Sequence, residues 1–480
     1  MPFVFRCSAV VSVLFGIWAA SADAGEQSPI AIGSRLELFV DRLLIESLQG
    51  VELKLHEPIK APRAKSPLPV QHMMTVLRDG KKFRAYYRGS DPSYRGEPHT
   101  GHPGETVHYA ESDDGREWTF PQLGLHEVGG TRANNVILAA APPFATNFMP
   151  FLDARPAVDP AERYKALAGY PGPGDKRGLD EPGRGLFAFV SGDGIHWTKK
   201  AEAIRYRPEW RHAFDSPNVS FWSPAEQCYV CYFRTWTEPD RLRSISRATS
   251  PDFVSWSDPV EMKPNLPGEH LYTNMTSPYF RAPHFYIALP TRFVPGRGNA
   301  PQYDQKDVNA TDVLLMTMRA GSTHYDRTFK EAFIRPGLDP AQWINRANYV
   351  AENILPTGPN ELSIYHRSGD RYVLRTDGFI SAHAGYEPGE LVTKPITFAG
   401  DELHVNLATS AAGSLRVEVQ DLAGEPIAGL ALENCVPLYG DGIDLVVRWH
   451  ADKLPPSLAG EPVRLRFVLQ ECDLYSFQFR

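Results

Sequence analysis

The sequence is poor in cysteine and carries no long run of basic residues. Five cysteines occur in 480 residues, and the formal net charge is −7. This balance argues against a polyanion such as nucleic acid as a partner. No EF-hand pattern and no His/Cys cluster marks a metal site, so we expect no cofactor; a calcium ion on the molecular axis is conceivable but nothing indicates it. No second apolar run of membrane length follows the N-terminal region.

The N-terminus has the three parts of an export signal. A short segment carries Arg6, an apolar stretch runs from Cys7 to Ala20, and Ala22-Asp23-Ala24 offers small residues for cleavage before Gly25. The apolar stretch is short for a transmembrane helix, and the alternative is an uncleaved anchor. The pattern predicts a periplasmic or secreted protein from which residues 1–24 are removed.

Four cysteines remain after that cleavage. Cys228 and Cys231 form a CxxC inside "QCYVCYFR", which has the pattern of a strand. An odd offset in a strand places two side chains on opposite faces, so we expect small core residues rather than a metal or redox pair. Cys435 and Cys472 could form a disulfide in an exported protein, and the sequence leaves that open.

Proline (42) and glycine (38) are abundant, which favours many turns over long helices. One phrase occurs three times, as "SDDGREW" at 112–118, "SGDGIHW" at 191–197 and "SPDFVSW" at 250–256. We expect its aspartate to accept backbone N–H groups in a tight turn and its glycine to adopt positive φ. We expect its tryptophan to pack between neighbouring repeats. The phrase is therefore predicted to be structural and not catalytic.

Three strand-like runs precede each phrase, so each repeat reads as a four-stranded meander. Two weaker copies end at Tyr325 and Phe379, and the spacing between copies is about 54 to 79 residues. Such a period predicts an all-β chain with a five-bladed β-propeller over 25–380, in which "SRLELFVDRLLIES" supplies the closing outer strand. The later strands lack the phrase and predict a C-terminal β-sandwich over 381–480 that stiffens the propeller.

In a propeller, the starts of the innermost strands and the ends of the second strands converge at one end of the axis. Glycoside hydrolysis needs two carboxyl groups there, and we expect Glu269 as general acid, Asp215 as base or nucleophile, and Asp91 tuning or replacing Asp215. For each acid alone, a structural ion pair or cap is the alternative. The arginines at this rim could hold a substrate carboxylate or hydroxyls, or pair with these acids. The substrate-binding candidates are His72, Arg88, Glu105, Asn147, Arg234, His270, Tyr272, Asn274, Arg292, Arg346 and Asn348.

Several motifs together resemble a family of exported bacterial proteins. They include "LELFVDRLLIES", "ESDDGREW", "FDSPNVSFW", "EHLYTN", "EAFIRPGLDP" and "LRTDGFISAHAGYEPGELVTKP". That family is similar to the five-bladed glycosidases of the arabinanase, levansucrase and invertase type (glycosyl hydrolase families 32 and 43). The resemblance implies a propeller with catalytic Asp and Glu residues on its inner strands. The chain departs from that type at the start of the first blade, where Gln71-His72 stands instead of "NDP".

The sequence is compatible with three alternative functions. The first is an exported glycoside hydrolase acting on a poly- or oligosaccharide. The second is a non-catalytic carbohydrate-binding propeller, which needs the aromatic side chains but no pair of acids. The third is a sialidase-like enzyme, although sialidase repeats place glycine and tryptophan one position later and have six blades. In each case we expect a carbohydrate ligand and a monomer; the sugar and its linkage stay open.

Overall fold

The structure is a computed structural model, and it describes residues 28–96, 104–139, 147–169, 185–207, 210, 213–297, 309–450 and 454–480. Strands account for 48% of it and helices for 3%, which confirms the nearly all-β prediction. The helical turns are 3₁₀ helices at Pro160–Glu162, Pro340–Gln342, Leu432–Asn434 and Pro456–Leu458. Within the described ranges, no helix is long and apolar enough to cross a membrane. The predicted export signal at 1–24 lies outside these ranges.

The five N-terminal strands are β1 to β5, at Ile30–Gly33, Glu37–Leu38, Ile45–Gln49, Glu52–Leu55 and Ile59–Lys60. Of these, β5 pairs with the last repeat, and the stretch predicted to do so does not. The stretch "SRLELFVDRLLIES" contributes β2 and β3, and both pair with the C-terminal sheet. The reason is its apolar run: Leu38, Phe39 and Val40 are buried, and the Phe39 ring packs against Phe467 and Phe477. The expected position of this stretch was wrong, and the closing strand comes later, at β5.

Three successive sheets are four-stranded antiparallel meanders in chain order, as the repeats predict. Their strands are β6 to β9 at Met74–Asp79, Lys82–Ser90, Glu105–Ser112 and Val136–Ala139; β10 to β13 at Met149–Leu152, Tyr164–Ala168, Gly185–Ser191 and Thr198–Arg205; and β14 to β17 at Val219–Ser223, Cys228–Trp236, Arg243–Ser250 and Val260–Glu261. Consecutive strands of each sheet pair with each other, and a two-residue turn, Gly80-Lys81, joins β6 to β7.

The fourth repeat folds as two three-stranded sheets rather than one meander. Its strands are β18 to β23, at His270–Leu271, Thr276–Tyr279, Ala282–Ala288, Thr291–Val294, Ala310–Val313 and Met316–Arg319. β18, β21 and β22 form one sheet, and β19, β20 and β23 form the other. The break falls at Pro290, which has no N–H for a ladder, while its carbonyl accepts a hydrogen bond from Leu314 N at 2.9 Å.

The fifth repeat closes on the N-terminal region. β24 to β26, at Leu355–Pro356, Glu361–Tyr365 and Arg371–Arg375, form a sheet whose fourth strand is β5. Two residue pairs, Tyr372 with Lys60 and Val373 with Ile59, make this closure. A strand from the chain start therefore completes the sheet formed by the last repeat.

The remaining strands are β27 to β32, at Ile380–Ala384, Gly389–Thr393, Ile396–Phe398, Leu403–Gln420, Asp441–Val447 and Arg464–Phe479. All of them except β29 form one curled sheet with β2, β3 and β4, and β29 pairs with β1 in a separate two-stranded parallel sheet. Most of "DELHVNLA" and "GSLRVEVQD" lies in a single 18-residue strand, β30. β30 pairs with β32 on both sides of a register shift between Thr409 and Ser414. Such a shift bends a strand without ending it, so the sheet stays continuous.

The repeated phrase forms the same turn three times. In each copy the serine hydroxyl accepts the N–H three residues on, and the aspartate carboxylate accepts the N–H groups two and three residues after itself, at 2.7–2.9 Å. The fourth position has φ of +70° at Gly115, +76° at Gly194 and +69° at Phe253. The predicted turn chemistry is confirmed, and the third copy adopts the left-handed conformation without glycine.

Aromatic side chains of each repeat pack on the preceding sheet. Trp118 contacts Tyr365 of the fifth repeat at 5.8 Å between ring centroids, and Trp197 contacts Tyr86 at 6.3 Å. In the third repeat this place is taken by Phe253, which packs on Phe151 at 5.5 Å. The two weaker copies continue the series: Tyr325 packs on Tyr232, and Phe379 packs on Tyr279. The sheets therefore contact one another in chain order, and the fifth contacts the first.

We predict that Trp118→Ala lowers the free energy of unfolding by about 3–5 kcal/mol, the usual cost of deleting a buried aromatic side chain. Trp118 is 3% exposed, whereas Trp256 is only partly buried. Trp256→Ala should therefore lower the free energy of unfolding by clearly less. Urea unfolding of both variants, followed by intrinsic fluorescence, measures the difference. Equal costs would contradict the placement of Trp118 between the first and last sheets.

Two buried carboxylates tie the C-terminal sheet to the repeats. Asp377 is fully buried and accepts hydrogen bonds from Tyr279 Oη at 2.6 Å, Asn406 Nδ2 at 3.0 Å and Ser476 Oγ at 2.8 Å, and it pairs with Arg281. Glu37 pairs with Arg319 at 3.0 Å and with His284 at 3.4 Å. Burial alone would raise the pKa of Glu37, but these two partners outweigh burial and lower it.

We expect Asp377→Asn to destabilise the protein by about 3–5 kcal/mol, because it removes the buried charge that pairs with the partly exposed Arg281 and accepts several hydrogen bonds. The variant keeps the volume of the side chain, so loss of packing does not contribute. A thermal melt compared with wild type measures the effect. The matched substitution Asp421→Asn, in an exposed turn, should change the melting temperature little. A harmless Asp377→Asn would show that this junction does not hold the two parts together.

The four cysteines of the described chain are free thiols. Cys231 is buried and Cys228 is partly exposed, as expected for residues on opposite faces of β15. Burial raises the pKa of both thiols, which suppresses thiolate chemistry. Cys435 and Cys472 are buried and not bonded to each other, so the disulfide that the sequence left open does not form in this structure.

Candidate active site

Five non-glycine residues with left-handed backbone precede β6, β10, β14, β19 and β24, by one to nine residues. They are Met73 (φ +53°), Asn147 (+54°), Phe214 (+67°), Met275 (+47°) and Arg346 (+62°). This conformation costs of order 1–3 kcal/mol per residue and gathers at functional sites. One such residue occurs in each repeat, ahead of these strands. The predicted site residues lie at or near these turns.

The first and last repeats meet at a parallel bridge between Thr75 and Glu352. Glu352 N donates to the Met74 carbonyl at 2.9 Å, and Thr75 Oγ1 donates to Glu352 Oε2 at 3.1 Å. In a parallel register, residues equally far before the bridge also face each other. His72 and Tyr349, each three residues earlier, accordingly contact at 5.6 Å between ring centroids.

Tyr272 is the centre of the group that the structure brings together. Its ring lies 5.4 Å from that of Tyr349, 5.3 Å from the Cζ atom of Arg234 and 5.0 Å from that of Arg243. Burial would raise the pKa of Tyr272, but Arg234 and Arg346 outweigh burial and hold it below the ordinary value. The local potential is therefore strongly positive.

Asp215 is the carboxylate of this group. Arg234 Nη2 donates to Asp215 Oδ2, and the aspartate side chain is 45% exposed while that of Arg234 is 3% exposed. A buried guanidinium thus holds an accessible carboxylate in one orientation. We refer to His72, Asp215, Arg234, Arg243, Tyr272, Arg346 and Tyr349 as the axial group.

A second chain of contacts links the first three repeats. Arg88 Nη2 donates to Asn147 Oδ1 at 2.7 Å, and Arg88 Nε lies 3.1 Å from Glu105 Oε1. Asn147 Nδ2 donates to the carbonyl of Phe214 at 2.9 Å. The predicted binding residues Arg88, Glu105 and Asn147 therefore position the turn that carries Asp215.

Glu269 and Arg292 lie in a different environment. Arg327 holds both carboxylate oxygens of Glu269, at 2.9 and 3.2 Å, and Arg292 Nε donates to Asp312 at 2.9 Å. Glu269 and Arg292 line a cavity of about 950 Å³ together with Phe293 and Trp343. Phe293 also contacts Tyr272 at 5.8 Å, so this cavity adjoins the axial group. The geometry does not favour Glu269 as a proton donor, because an arginine engages both of its oxygens.

The other predicted residues have structural contacts. Asp91 accepts the N–H groups of Ser93 at 2.8 Å and Gly129 at 3.0 Å, and these bonds, with that of the Ser93 hydroxyl, hold its pKa below the ordinary value. His270 Nδ1 accepts the Arg243 N–H at 3.1 Å. The remaining two are buried amides that donate to backbone carbonyls: Asn274 to Pro217 and Tyr232, and Asn348 to Thr311 and Gln342.

Two residues that sequence reasoning missed stand out. Arg243 is the first residue of the third strand of its sheet, and its Cζ atom lies 4.7 Å from the Trp236 ring and 4.6 Å from that of Phe293. Glu352 is 1% exposed, and burial raises its pKa to about 8. An acidic residue within the inner-strand run "YVAENILPTG" was the available signal for Glu352. Nothing in the local sequence around Arg243 indicates its aromatic neighbours.

We predict that Glu352→Gln changes the pH dependence of stability. Glu352 stays protonated in the folded chain to about pH 8, whereas in the unfolded chain it ionises near its ordinary value of 4.5. The folded state therefore loses stability relative to the unfolded state as pH rises from 4.5 to 8. Glutamine does not ionise, so the variant does not have this loss. Its free energy of unfolding relative to wild type should therefore rise over this pH range, by on the order of 4 kcal/mol.

Thermal melts of wild type and Glu352→Gln at pH 5, 6, 7 and 8 measure this gain. Other titrating groups are common to both proteins and cancel in the difference. A difference in melting temperature that does not vary with pH would mean that Glu352 ionises normally in the folded protein.

Within the described residues, no group of three or more His, Cys, Asp or Glu side chains has the arrangement of a metal site. No family model matches the chain, and no curated protein matches its sequence. Solved structures with similar architecture include a glycoside hydrolase at 12% identity and TM-score 0.41, covering 66% of this chain and 91% of that one. The low identities do not align site residues, so the assignments below depend on the geometry of this chain.

Two further solved structures are similar over more of the chain. A family 43 arabinoxylan arabinofuranohydrolase from Bacillus subtilis, in complex with cellotetraose, has 11% identity and a TM-score of 0.36, covering 86% of this chain and 96% of that one. An N-acetylgalactosamine deacetylase from F. plautii, in complex with blood group B trisaccharide, has 10% identity and a TM-score of 0.38, with 87% and 95% covered.

Proposed function

We propose that the chain is a glycoside hydrolase whose active site is the axial group of a five-bladed propeller. Five repeats in chain order, contacts between each sheet and the next, and closure of the last sheet by β5 support the propeller. In this interpretation the C-terminal sheet, from about residue 381, is a second domain that β2 to β4 join from the N-terminus. The substrate is a poly- or oligosaccharide.

The observation that carries the proposal is the setting of Asp215. An accessible carboxylate is fixed by a buried arginine, beside the tyrosine rings at positions 272 and 349, where strained turns from several repeats converge. Aromatic rings with a few oriented polar groups are typical of a saccharide site. We assign Asp215 the role of general base or nucleophile.

A proton donor must keep its proton near neutral pH, which a buried carboxyl group does. Glu352 meets that requirement and lies three residues after Tyr349 in the chain, with the Thr75 hydroxyl hydrogen bonded to it. We propose Glu352 as the general acid in place of Glu269. Asp91, held in its turn, is not part of this proposal.

Three parts of the proposal concern the whole chain. We propose export through a signal peptide at 1–24, cleaved before Gly25, on the sequence pattern alone. Hydrolysis by two carboxyl groups needs no cofactor, and none is proposed. A monomer is proposed as well. The contacts of Asp377 and Glu37 support a stiffening role for the C-terminal sheet.

The experiment starts from a screen of the mature protein against plant and algal glycans, with released reducing ends as the readout. On a glycan that is cleaved, Asp215→Asn should reduce kcat by about 10²–10⁴-fold. Glu352→Gln should reduce cleavage of the natural glycan far more than that of an activated aryl glycoside, because only the natural leaving group needs protonation.

Glu269→Gln is the matched control, since it makes the same change in a carboxyl group of the neighbouring cavity. It should leave the ratio of the two activities unchanged. If instead Glu269→Gln selectively loses the natural glycan, Glu269 is the acid and Glu352 is not. If Asp215→Asn retains full activity while its melting temperature is normal, the catalytic centre lies elsewhere.

A further inference from the structure

Three arginines of the axial group, of which Arg234 is buried, share a single carboxylate. Elsewhere at this end of the molecule the arginines have acidic partners: Arg88 has Glu105, Arg292 has Asp312 and Arg327 has Glu269. In the axial group, Arg234, Arg243 and Arg346 surround Tyr272, and Asp215 is the carboxylate that acts on all three. The group therefore carries a net positive charge that structural pairing does not explain.

Buried donors in this group have no partner in the described chain. Arg234 is 3% exposed, yet its Nε and Nη1 atoms make no hydrogen bond, and the same holds for the buried Nε of Arg243. A buried cationic donor without an acceptor is costly, and such a cost is commonly offset by a bound ligand. Arg234 Nη2 already donates to Asp215. The two remaining nitrogens of Arg234 can therefore donate hydrogen bonds to a bound ligand.

The positive charges of neighbouring arginines at this site also repel one another. Burial and the nearby Arg234 lower the pKa of Arg243, and burial together with Arg346 lowers that of Arg367. Arg367 Nη1 donates to the Arg346 carbonyl at 2.7 Å, which holds this second arginine pair close together. Like charges at these positions repel, and a single anion placed among them would relieve that repulsion.

We propose that the axial group binds an anionic substituent of the saccharide, so that the substrate is an acidic glycan bearing a carboxylate or a sulfate ester. Guanidinium groups match the oxygens of both anions. Tyr272, Trp236 and Phe293 surround Arg243 and provide apolar rings for the sugar. This inference rests on the proposed function, because it names the substrate class of the same site.

The first test uses inorganic sulfate as the probe, with the melting temperature of the full chain as the readout. Arg346→Gln changes an exposed member of the group, and Arg335→Gln makes the same change at an exposed arginine that lines the neighbouring cavity. Wild type and Arg335→Gln should show the same saturable rise in melting temperature. Arg346→Gln should need about tenfold more sulfate. Identical responses of all three proteins would overturn the anion site.

The second test identifies the source of the anion by calorimetric titration with disaccharides. Digalacturonic acid and cellobiouronic acid test the carboxylate, a sulfated galactose disaccharide tests the sulfate ester, and galactobiose and cellobiose are the neutral counterparts. At least one acidic ligand should bind about tenfold or more tighter than its neutral counterpart, and Arg346→Gln should remove that preference. If no acidic saccharide exceeds the neutral ones while sulfate binds, the site takes a free anion and the inference about the glycan is wrong.

Neither readout depends on catalysis. Tight binding of an acidic saccharide without release of reducing ends would support the anion site and contradict the proposed hydrolase. Cleavage of a neutral glycan with no preference for acidic ligands would support the hydrolase and contradict the anion site.

Discussion

The parallel bridge between Thr75 and Glu352 is the contact on which the candidate site depends. It joins the inner strand of the first repeat to that of the last, some 277 residues apart in sequence. Its register brings His72 opposite Tyr349, and Tyr349 in turn lies against Tyr272 of the fourth repeat. The same contact places Glu352 in a fully buried position, where desolvation keeps the carboxyl group protonated. The contact between the first and last repeats and the protonation state of Glu352 are therefore connected.

Charge is distributed around this closure in two different ways. Asp377 and Glu37 are buried and surrounded by hydrogen-bond donors from distant strands, so each holds the C-terminal sheet against the repeats. The arginines around Tyr272 are the opposite case, since one accessible carboxylate faces several guanidinium groups. The first arrangement is satisfied within the chain and stabilises it. The second arrangement leaves buried guanidinium nitrogens of Arg234 and Arg243 without an acceptor in the described chain, which is the basis for proposing an anionic ligand.

Local chemistry made the repeats predictable. The SxD turn forms in all three copies because its hydrogen bonds involve only neighbouring residues. Local sequence patterns gave a wrong prediction where packing against residues distant in sequence determines the position of a strand. The run "LELFV" was expected at the ring closure, but its apolar side chains pack against Phe467 and Phe477 of the C-terminal sheet. The fourth meander divides at Pro290, a break that the proline could have signalled.

By itself, the sequence determined the all-β class, the period of the repeats, their turns and the end of each repeat at which polar residues gather, because these follow from side-chain alternation and local hydrogen bonding. It also pointed to Asp215, Arg234, Tyr272 and Arg346. Only the tertiary structure decided which of these residues meet. Asp215 has Arg234 and Tyr272 beside it, Glu269 is held by Arg327, and Asp91 is held in a turn. Arg243 contacts Tyr272, and Glu352 is buried beside Thr75, neither of which the local sequence indicates. The physical reason is that the protonation state and the partner of an ionisable group depend on burial and on neighbours hundreds of residues away, which no local pattern records.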